Sequence, residues 1–458
     1  MPRMFGTDGV RGVFNRELGV IEAAKICMAI GTYLKPGSRV LVGSDYRGGT
    51  GAIYYAGIAG LISVGVRVYD AGKIPTPALQ TAIKEMGIFD GGVMFTASHN
   101  PPEYVGIKFV GPDGVEVDDN VEEEVEAIYR ETRFSRIDYA RVQHSVERLD
   151  GVIELYVSKI VSLVNRNRIA SRRFSVVVDS ANSVTSSATP EILRRLGVRV
   201  IAINADPSPI PARPYEPTPE SLADLSRIVR SLGADLGVGH DSDGDRAIIV
   251  SDDGEIHWGD RSASILAIHI AENRGYKGNR RVVTAVSTSE FVSNHLRSRG
   301  IDVKYTGVGI KRLASETRKG GAICAFEENG GFIYPDHHLV RDGGAKIALF
   351  LEAMAYSGKR ASELFSQFPR VHVIKTKIPM DRERALKAVE AVKEMYRASG
   401  ALEVVDIDGV RVALKGGWFL VRPSGTEPVL RIMLESIDRS EGERILGELL
   451  SIIRGVSK

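Results

Sequence analysis

The chain has 458 residues, of which 43% are hydrophobic and 26% charged, an ordinary globular balance rather than a disordered or fibrous one. At roughly 100–200 residues per domain there is room for three or four domains, each with its own core. Lys and Arg total 60 against 58 Asp and Glu, and a net charge of +2 provides neither a nucleic-acid footprint nor a polybasic membrane anchor.

The opening Met1-Pro2-Arg3-Met4-Phe5-Gly6-Thr7-Asp8 lacks the apolar core of a signal peptide, and no apolar run nears the ~18 residues of a membrane span. A cytoplasmic protein is expected. Cys27 and Cys324 are too few for a disulfide framework or a zinc cluster. The first motif, Phe5-Gly6-Thr7-Asp8-Gly9-Val10-Arg11-Gly12, is a loop of glycines and an arginine.

Three later segments repeat one plan: apolar strand, small-residue loop, helix, then a glycine and a second strand. They run from Val40-Leu41-Val42-Gly43-Ser44-Asp45 to Gly65-Val66-Arg67-Val68, from Val176-Val177-Val178-Asp179-Ser180 to Gly197-Val198-Arg199-Val200, and from Val282-Val283-Thr284-Ala285 to Gly300-Ile301-Asp302-Val303. Each glycine falls where a helix end needs the left-handed conformation. β-Branched strands alternating with helices predict buried, largely parallel sheets. Beyond them, Val371–Ile378, Glu403–Leu414, Trp418–Val421 and Val429–Leu434 read as strands, followed by a helix over about Ser440–Arg454. The fold class is therefore α/β, with three similar mixed α/β domains and a smaller C-terminal α+β domain. Boundaries near 150, 252 and 368 give domains 1–150, 151–252, 253–368 and 369–458.

Four loops carry chemistry. The strand Gly92-Val93-Met94-Phe95 runs into Thr96-Ala97-Ser98-His99-Asn100-Pro101-Pro102, where two prolines end strand pairing. The polar residues are then presented at a strand's carboxyl end, the usual ligand side of an open α/β sheet. Ser98 beside His99 and Asn100, with Lys108 nearby, suits a nucleophile or phosphoryl carrier; an Asn-Pro turn capped by Ser98 is the competing reading. In Asp241-Ser242-Asp243-Gly244-Asp245-Arg246, three carboxylates alternate along one turn. At ~4 Å and an effective dielectric of about 20, each pair repels by about 4 kcal/mol, and a hard divalent cation is the usual remedy. An EF-hand is excluded, since its sixth and twelfth positions are Arg246 and Asp252. A haloacid-dehalogenase-type phosphatase would carry Thr or Val where Asp245 stands, and a solvated acidic turn remains the bland alternative.

The third loop, Ala325-Phe326-Glu327-Glu328-Asn329-Gly330-Gly331, offers acids and an amide to sugar hydroxyls, or is simply a glycine-rich turn. In the fourth, Arg422-Pro423-Ser424-Gly425-Thr426-Glu427-Pro428, with Arg431 beyond, supplies a guanidinium, hydroxyls and an approachable backbone for phosphate. No Walker lysine follows, so this is not a nucleotide P-loop.

In this order the four loops resemble the α-D-phosphohexomutase superfamily of phosphoglucomutases, phosphomannomutases and phosphoglucosamine mutases. The resemblance spans essentially the whole chain and includes Gly72-Lys73-Ile74-Pro75-Thr76-Pro77-Ala78 and Glu216-Pro217-Thr218-Pro219-Glu220. It implies four domains around a central cleft, an isomerase that interconverts hexose 6- and 1-phosphates, a phosphoserine at Ser98, and Mg²⁺ held by Asp241, Asp243, Asp245 and that phosphoserine. It implies a hexose 1,6-bisphosphate intermediate, a glucose 1,6-bisphosphate-type activator, and small sugar phosphates as partners. Arg11, His99 and Lys108 match positions near the reacting hydroxyl, and Arg246 one beside the metal. Glu327 and Asn329 match the sugar-reading loop, while Arg422, Ser424, Gly425 and Thr426 match the grip on the non-reacting phosphate.

Three departures from the usual pattern stand out, one in the serine loop and two at positions that concern the sugar. Val105 stands where asparagine is usual, Ile310 where many relatives carry a polar residue, and Glu-Glu-Asn-Gly-Gly replaces the more frequent Glu-x-Ser-Gly-His. The last variant resembles archaeal phosphoglucosamine mutases and their phosphomannomutase relatives. Phosphoglucosamine mutase with relaxed specificity is expected; the alternatives are a bifunctional phosphomannomutase/phosphoglucomutase, a catalytically silent sugar-phosphate sensor, or a phosphatase.

Overall fold

The computed structural model describes residues 4–6, 8–143, 145–425 and 428–456. The repeated segments fold as the glycine pattern predicts. Helices Thr50–Ser63, Thr189–Arg195 and Glu290–Ser298 each stop one cap residue before Gly65, Gly197 and Gly300. These glycines have φ of 88°, 79° and 70°, a turn that a Cβ would disfavour.

Contacts divide the chain into two compact units, Met1–Ser262 with Asn329–Leu364, and Ala263–Glu328 with Phe365–Lys458. In the first unit, a six-stranded sheet runs in the order Val10–Val13, Tyr104–Val110, Gly91–Phe95, Arg39–Ser44, Arg67–Lys73, Glu147–Arg148. The strand Arg39–Ser44 is parallel to both neighbours, whereas Gly91–Phe95 and Tyr104–Val110 form an antiparallel hairpin. A five-stranded sheet follows the same scheme. Ser175–Asp179 lies parallel to Arg199–Ile203 and Leu236–His240, and Leu236–His240 pairs antiparallel with Ala247–Ser251. Val40, Leu41 and Val42 are fully buried, as are Val176, Val177 and Val178, which accounts for their unbroken apolar runs. Polar residues at the carboxyl ends of these strands, Ser44, Asp45, Thr96, Asp179, His240 and Asp241, are buried too. The first unit also contains the antiparallel pair Phe332–Tyr334 and His338–Arg341.

In the second unit, Arg281–Ala285 lies between two parallel partners, Asp302–Thr306 and Cys324–Phe326. A fully antiparallel sheet orders His372–Pro379, Val429–Ser436, Gly417–Pro423, Val410–Leu414 and Glu403–Val405, packed against helices Arg382–Ala398 and Arg439–Val456. The segment expected as one strand, Glu403–Leu414, is two: Gly409 adopts a φ of 86° and the chain reverses between Val405 and Val410. Buried Arg411 donates to the carbonyls of Val286 at 2.8 Å and Thr288 at 2.6 Å, and pairs with Glu290 at 2.8 Å. Among the described residues, no helix is long and apolar enough to cross a membrane.

Helices Val20–Leu34 and Thr50–Ser63 approach closely because Gly57 and Gly60 face the contact. A Cβ at Gly60 would sit 2.3 Å from the carbonyl oxygen of Ala24, a backbone atom with little freedom to retreat. Gly60→Ala is therefore expected to destabilise the first unit by about 1–3 kcal/mol. Thermal unfolding reads this as a lowered midpoint, and an unchanged midpoint contradicts the packing described.

Candidate active site

The serine loop leaves the strand Gly91–Phe95 and turns at Ser98, whose φ is 51°. A non-glycine residue in this region costs roughly 1–2 kcal/mol, so surrounding contacts must hold it there. They come from residues the sequence reading did not single out. Arg47 is completely buried, stacks 4.3 Å from the Tyr215 ring centroid, and donates through Nη2 to the Ser98 carbonyl and through Nη1 to those of Asn100 (3.0 Å), Pro101 (2.6 Å) and Tyr104 (3.2 Å). The Ser242 hydroxyl, from the acidic loop, also donates to the Ser98 carbonyl at 2.9 Å. Asp45 accepts from Thr96 Oγ1 at 2.6 Å and from Ser242 Oγ at 2.9 Å. Loops from two sheets are thereby held together around one serine.

That serine is fully buried and donates from Oγ to Asp241 Oδ2 at 2.7 Å, with His99 Nδ1 at 3.4 Å. Asp241, Asp243 and Asp245 are all buried, each offering a carboxylate oxygen within 4.8 Å of the others. The acidic turn is therefore not solvated. Asp241 Oδ1 accepts from the backbone N–H groups of Gly244 at 3.1 Å and Arg246 at 3.3 Å. Asp243 Oδ2 accepts from Thr76 Oγ1 at 2.6 Å, and Lys108 Nζ lies 3.0 Å from Asp243, 3.1 Å from Asp245 and 3.1 Å from Asp8. Arg341 Nη2 bridges Asp8 at 2.7 Å and Asp245 at 2.6 Å.

The charges follow this geometry. Burial, with Asp245 and Asp243 alongside, pushes the Asp241 carboxyl well above its usual range. For Asp243, burial acts in the same sense, but the Lys108 ammonium and the Thr76 hydroxyl outweigh it and the carboxyl ends lower. Burial would lower Lys108, yet Asp243, Asp245 and Asp8 hold it firmly as an ammonium. Burial first, then Arg246, Arg11 and Arg341, depress His99 and keep its ring neutral.

A metal fits this donor set. With the Oδ2 atoms of Asp243 and Asp245 already engaged, their buried Oδ1 atoms have no hydrogen-bond partner. Buried carboxylate oxygens left this way are costly unless something binds them. Oxygen donors of this kind suit Mg²⁺.

The other expected residues divide between the units. Arg11 stands beside the serine loop in the first, donating to Asp8 Oδ2 at 2.7 Å and Asn100 Oδ1 at 2.6 Å. Arg246 lies 3.9 Å from Asp245 and 3.7 Å from Glu216. Asn329 Oδ1, also in the first unit, accepts from the Gly331 N–H at 3.1 Å. In the second unit, Glu327 Oε1 accepts from the Gly309 N–H at 3.3 Å, and neighbouring Glu328 accepts from Ser287 Oγ at 2.5 Å. Arg422 and Arg431 are directly opposed across two strands, and Lys377 opposes Arg431 on the next. Three cations thus line up on one sheet face, an arrangement that repels itself and suits an anion. Asp408, 3.5 Å from Arg422, offsets part of that charge. Ser424 N–H donates to the Val429 carbonyl at 2.9 Å, and nothing lies within 4 Å of a Cβ at Gly425. Thr426 lies outside the described residues. Two of the departures are core residues: Val105 and Ile310 are buried.

Four sequence families match in succession: phosphoglucomutase/phosphomannomutase alpha/beta/alpha domains I, II and III over residues 2–136, 154–254 and 258–371, and the C-terminal domain over 376–452. The chain belongs to the phosphoglucomutase/phosphomannomutase family. Within it, a phosphoglucosamine/phosphogalactosamine mutase of Sulfurisphaera tokodaii is 41% identical over 457 residues, covering 99% of this chain and 100% of the relative. A phosphoglucomutase/phosphomannomutase of Thermococcus kodakarensis is 38% identical, with 97% of each chain covered. Among solved structures, a family protein of Burkholderia thailandensis superimposes with a TM-score of 0.85 at 25% identity, covering 100% of this chain and 98% of that one.

The Arg47 contacts make a prediction for this family member. Arg47→Met leaves several buried carbonyls without their donor and is expected to cost about 3–5 kcal/mol of stability. Arg47→Lys keeps the charge without the fork, and phosphoryl uptake from a hexose bisphosphate is expected to slow, as read by intact mass. Uptake at the wild-type rate in both variants contradicts the positioning described.

Proposed function

We propose that this chain is a Mg²⁺-dependent phosphohexomutase working through phosphorylated Ser98, with glucosamine phosphate as preferred substrate and glucose and mannose phosphates also accepted. The observation that carries the reading is the buried Ser98 hydroxyl, 2.7 Å from a carboxylate of the aspartate triad. The archaeal relative at 41% identity, named for glucosamine and galactosamine phosphates, supports the amino sugar, as does the variant loop Glu327-Glu328-Asn329-Gly330-Gly331.

In the first half-reaction the bond between phosphorus and Ser98 Oγ breaks as a sugar hydroxyl oxygen bonds to phosphorus and gives up its proton. The product is a hexose 1,6-bisphosphate. In the second half, Ser98 Oγ takes the other phosphoryl group and a proton returns to the sugar oxygen released. A hexose 1,6-bisphosphate supplied from outside primes Ser98 by the same step. Transfer of this kind depends on positioning and on stabilising charge at the phosphoryl oxygens. Asp241, Asp243 and Asp245 would hold Mg²⁺ with an oxygen of the phosphoserine, and the bound cation supplies positive charge against those oxygens. Arg11, Arg246 and the Lys108 ammonium add fixed positive charge around the serine. His99, neutral and 3.4 Å from Ser98 Oγ, can accept a proton at Nδ1. Arg422, Ser424, Gly425, Thr426 and Arg431 would hold the phosphate that is not reacting, whichever way round the sugar binds. Glu327 and Asn329 would accept from sugar hydroxyls.

Ser98→Ala is expected to lower turnover by at least about a thousandfold in a bisphosphate-primed assay, because no other group carries the phosphoryl. Interconversion at the wild-type rate contradicts the reading. Asp243→Ala is expected to remain folded and lose Mg²⁺-supported activity; undiminished activity in a chelator counts against the metal site. Comparing kcat/KM for glucosamine, galactosamine, glucose and mannose 6-phosphates tests the substrate, with glucosamine 6-phosphate expected to lead.

A further inference from the structure

One departure from the sugar-loop pattern has a structural counterpart in the reaction centre. Gly331 closes the variant loop Glu327-Glu328-Asn329-Gly330-Gly331. Its φ lies outside the left-handed region, so backbone conformation does not demand glycine there. Space does. A Cβ on Gly331 would come 2.7 Å from Cδ and 3.2 Å from Cγ of Arg341, the middle of that side chain rather than its flexible tip. Gly331 is tied by a β-bridge to Arg246, and Arg341 ends the neighbouring strand His338–Arg341, so neither backbone can readily move aside. A side chain at 331 and an arginine following this path from 341 are sterically exclusive.

The path that glycine leaves open ends on two carboxylates. Arg341 is 5% exposed, and its Nη2 meets Asp8 Oδ2 at 2.7 Å and Asp245 Oδ2 at 2.6 Å. Lys108 touches both of these carboxylates and Asp243 as well, so one ammonium faces three buried carboxylates. A second, permanently charged group relieves that excess. It also links the acidic loop to the amino-terminal loop, because Asp8 in turn holds Arg11 at 2.7 Å.

We propose that Arg341, admitted by the bare backbone of Gly331, is a positioning residue of the phosphoryl-transfer centre. It ties Asp245 to Asp8, which fixes the triad carboxylate and the Arg11 guanidinium relative to Ser98. This assignment rests on the phosphohexomutase reading, and its test separates the two.

Kinetics with a 6-phosphate substrate, bisphosphate primer and saturating Mg²⁺ are compared for the wild type, Gly331→Ala, Arg341→Met, Arg341→Lys and the Gly331→Ala/Arg341→Met double variant. A crystal structure of the Gly331→Ala protein reads the arginine's place without reference to turnover. Each of Gly331→Ala and Arg341→Met is expected to lower kcat about tenfold or more while KM stays within about twofold, and Arg341→Lys to recover part of the loss. The double variant is expected to be no worse than Arg341→Met, and Arg341 to lie beyond hydrogen-bonding distance of Asp8 and Asp245 in the Gly331→Ala crystal. Should Arg341→Met not fold, Gly331→Ala and Arg341→Lys carry the same test. Wild-type kcat in Arg341→Met, losses that multiply in the double variant, or an undisplaced arginine in the Gly331→Ala crystal overturns the proposal. Wild-type protein that fails to interconvert the sugar phosphates strikes instead at the functional reading, while the crystal still reports where Arg341 lies.

Discussion

Negative charge buried away from bulk solvent is the constraint on which the first unit depends. Asp8, Asp241, Asp243 and Asp245 are all within 7% of complete burial, and carboxylates so placed stay ionised only with compensating partners. Lys108 and Arg341 provide that compensation on one side of the cluster. The N–H groups of Gly244 and Arg246 and the hydroxyls of Thr76 and Ser98 provide it on the other. What remains open is specific: the Oδ1 atoms of Asp8, Asp243 and Asp245. Two of these oxygens belong to the triad beside the Ser98 hydroxyl, a donor set that suits a hard cation.

Holding the serine there needs a second device. Ser98 occupies a left-handed conformation that its own side chain disfavours, and Arg47 fixes it through carbonyls on both sides of the turn. Asp45 and Ser242 join this arrangement from different sheets, so the relation between serine and aspartates is set by side chains that bridge the two loops. Positioning of this kind is what phosphoryl transfer asks of a protein, since most of the remaining work is electrostatic. The second unit meets a different requirement. Its row of Lys377, Arg431 and Arg422 repels itself in isolation, and an anion relieves the repulsion.

Much of this was legible in the sequence because it is local. The unbroken valine runs and the glycines at 65, 197 and 300 encode strand and helix ends within a few residues, and the serine and aspartate loops are contiguous motifs. The residues that escaped are those whose meaning depends on distance along the chain. Arg47 acts on carbonyls at 98–104, and Arg341 on carboxylates at 8 and 245; neither belongs to a motif that announces it. Asp8 did lie in a loop noted for its glycines and arginine, yet its acid had no visible partner until Lys108 and Arg341 were brought to it. The reversal after Val405 did carry a local signal, Asp408-Gly409, a pair that favours hairpin loops, but it lies between apolar runs that together have the look of one longer strand.

The central claim is that the buried triad exists to hold a divalent cation beside Ser98. Anomalous scattering at the manganese edge, from crystals grown with saturating Mn²⁺, tests it most directly. The account predicts one strong peak ligated by Asp241, Asp243 and Asp245, next to the Ser98 side chain. A triad with no peak in such crystals, its oxygens held only by the protein's own donors, would contradict it.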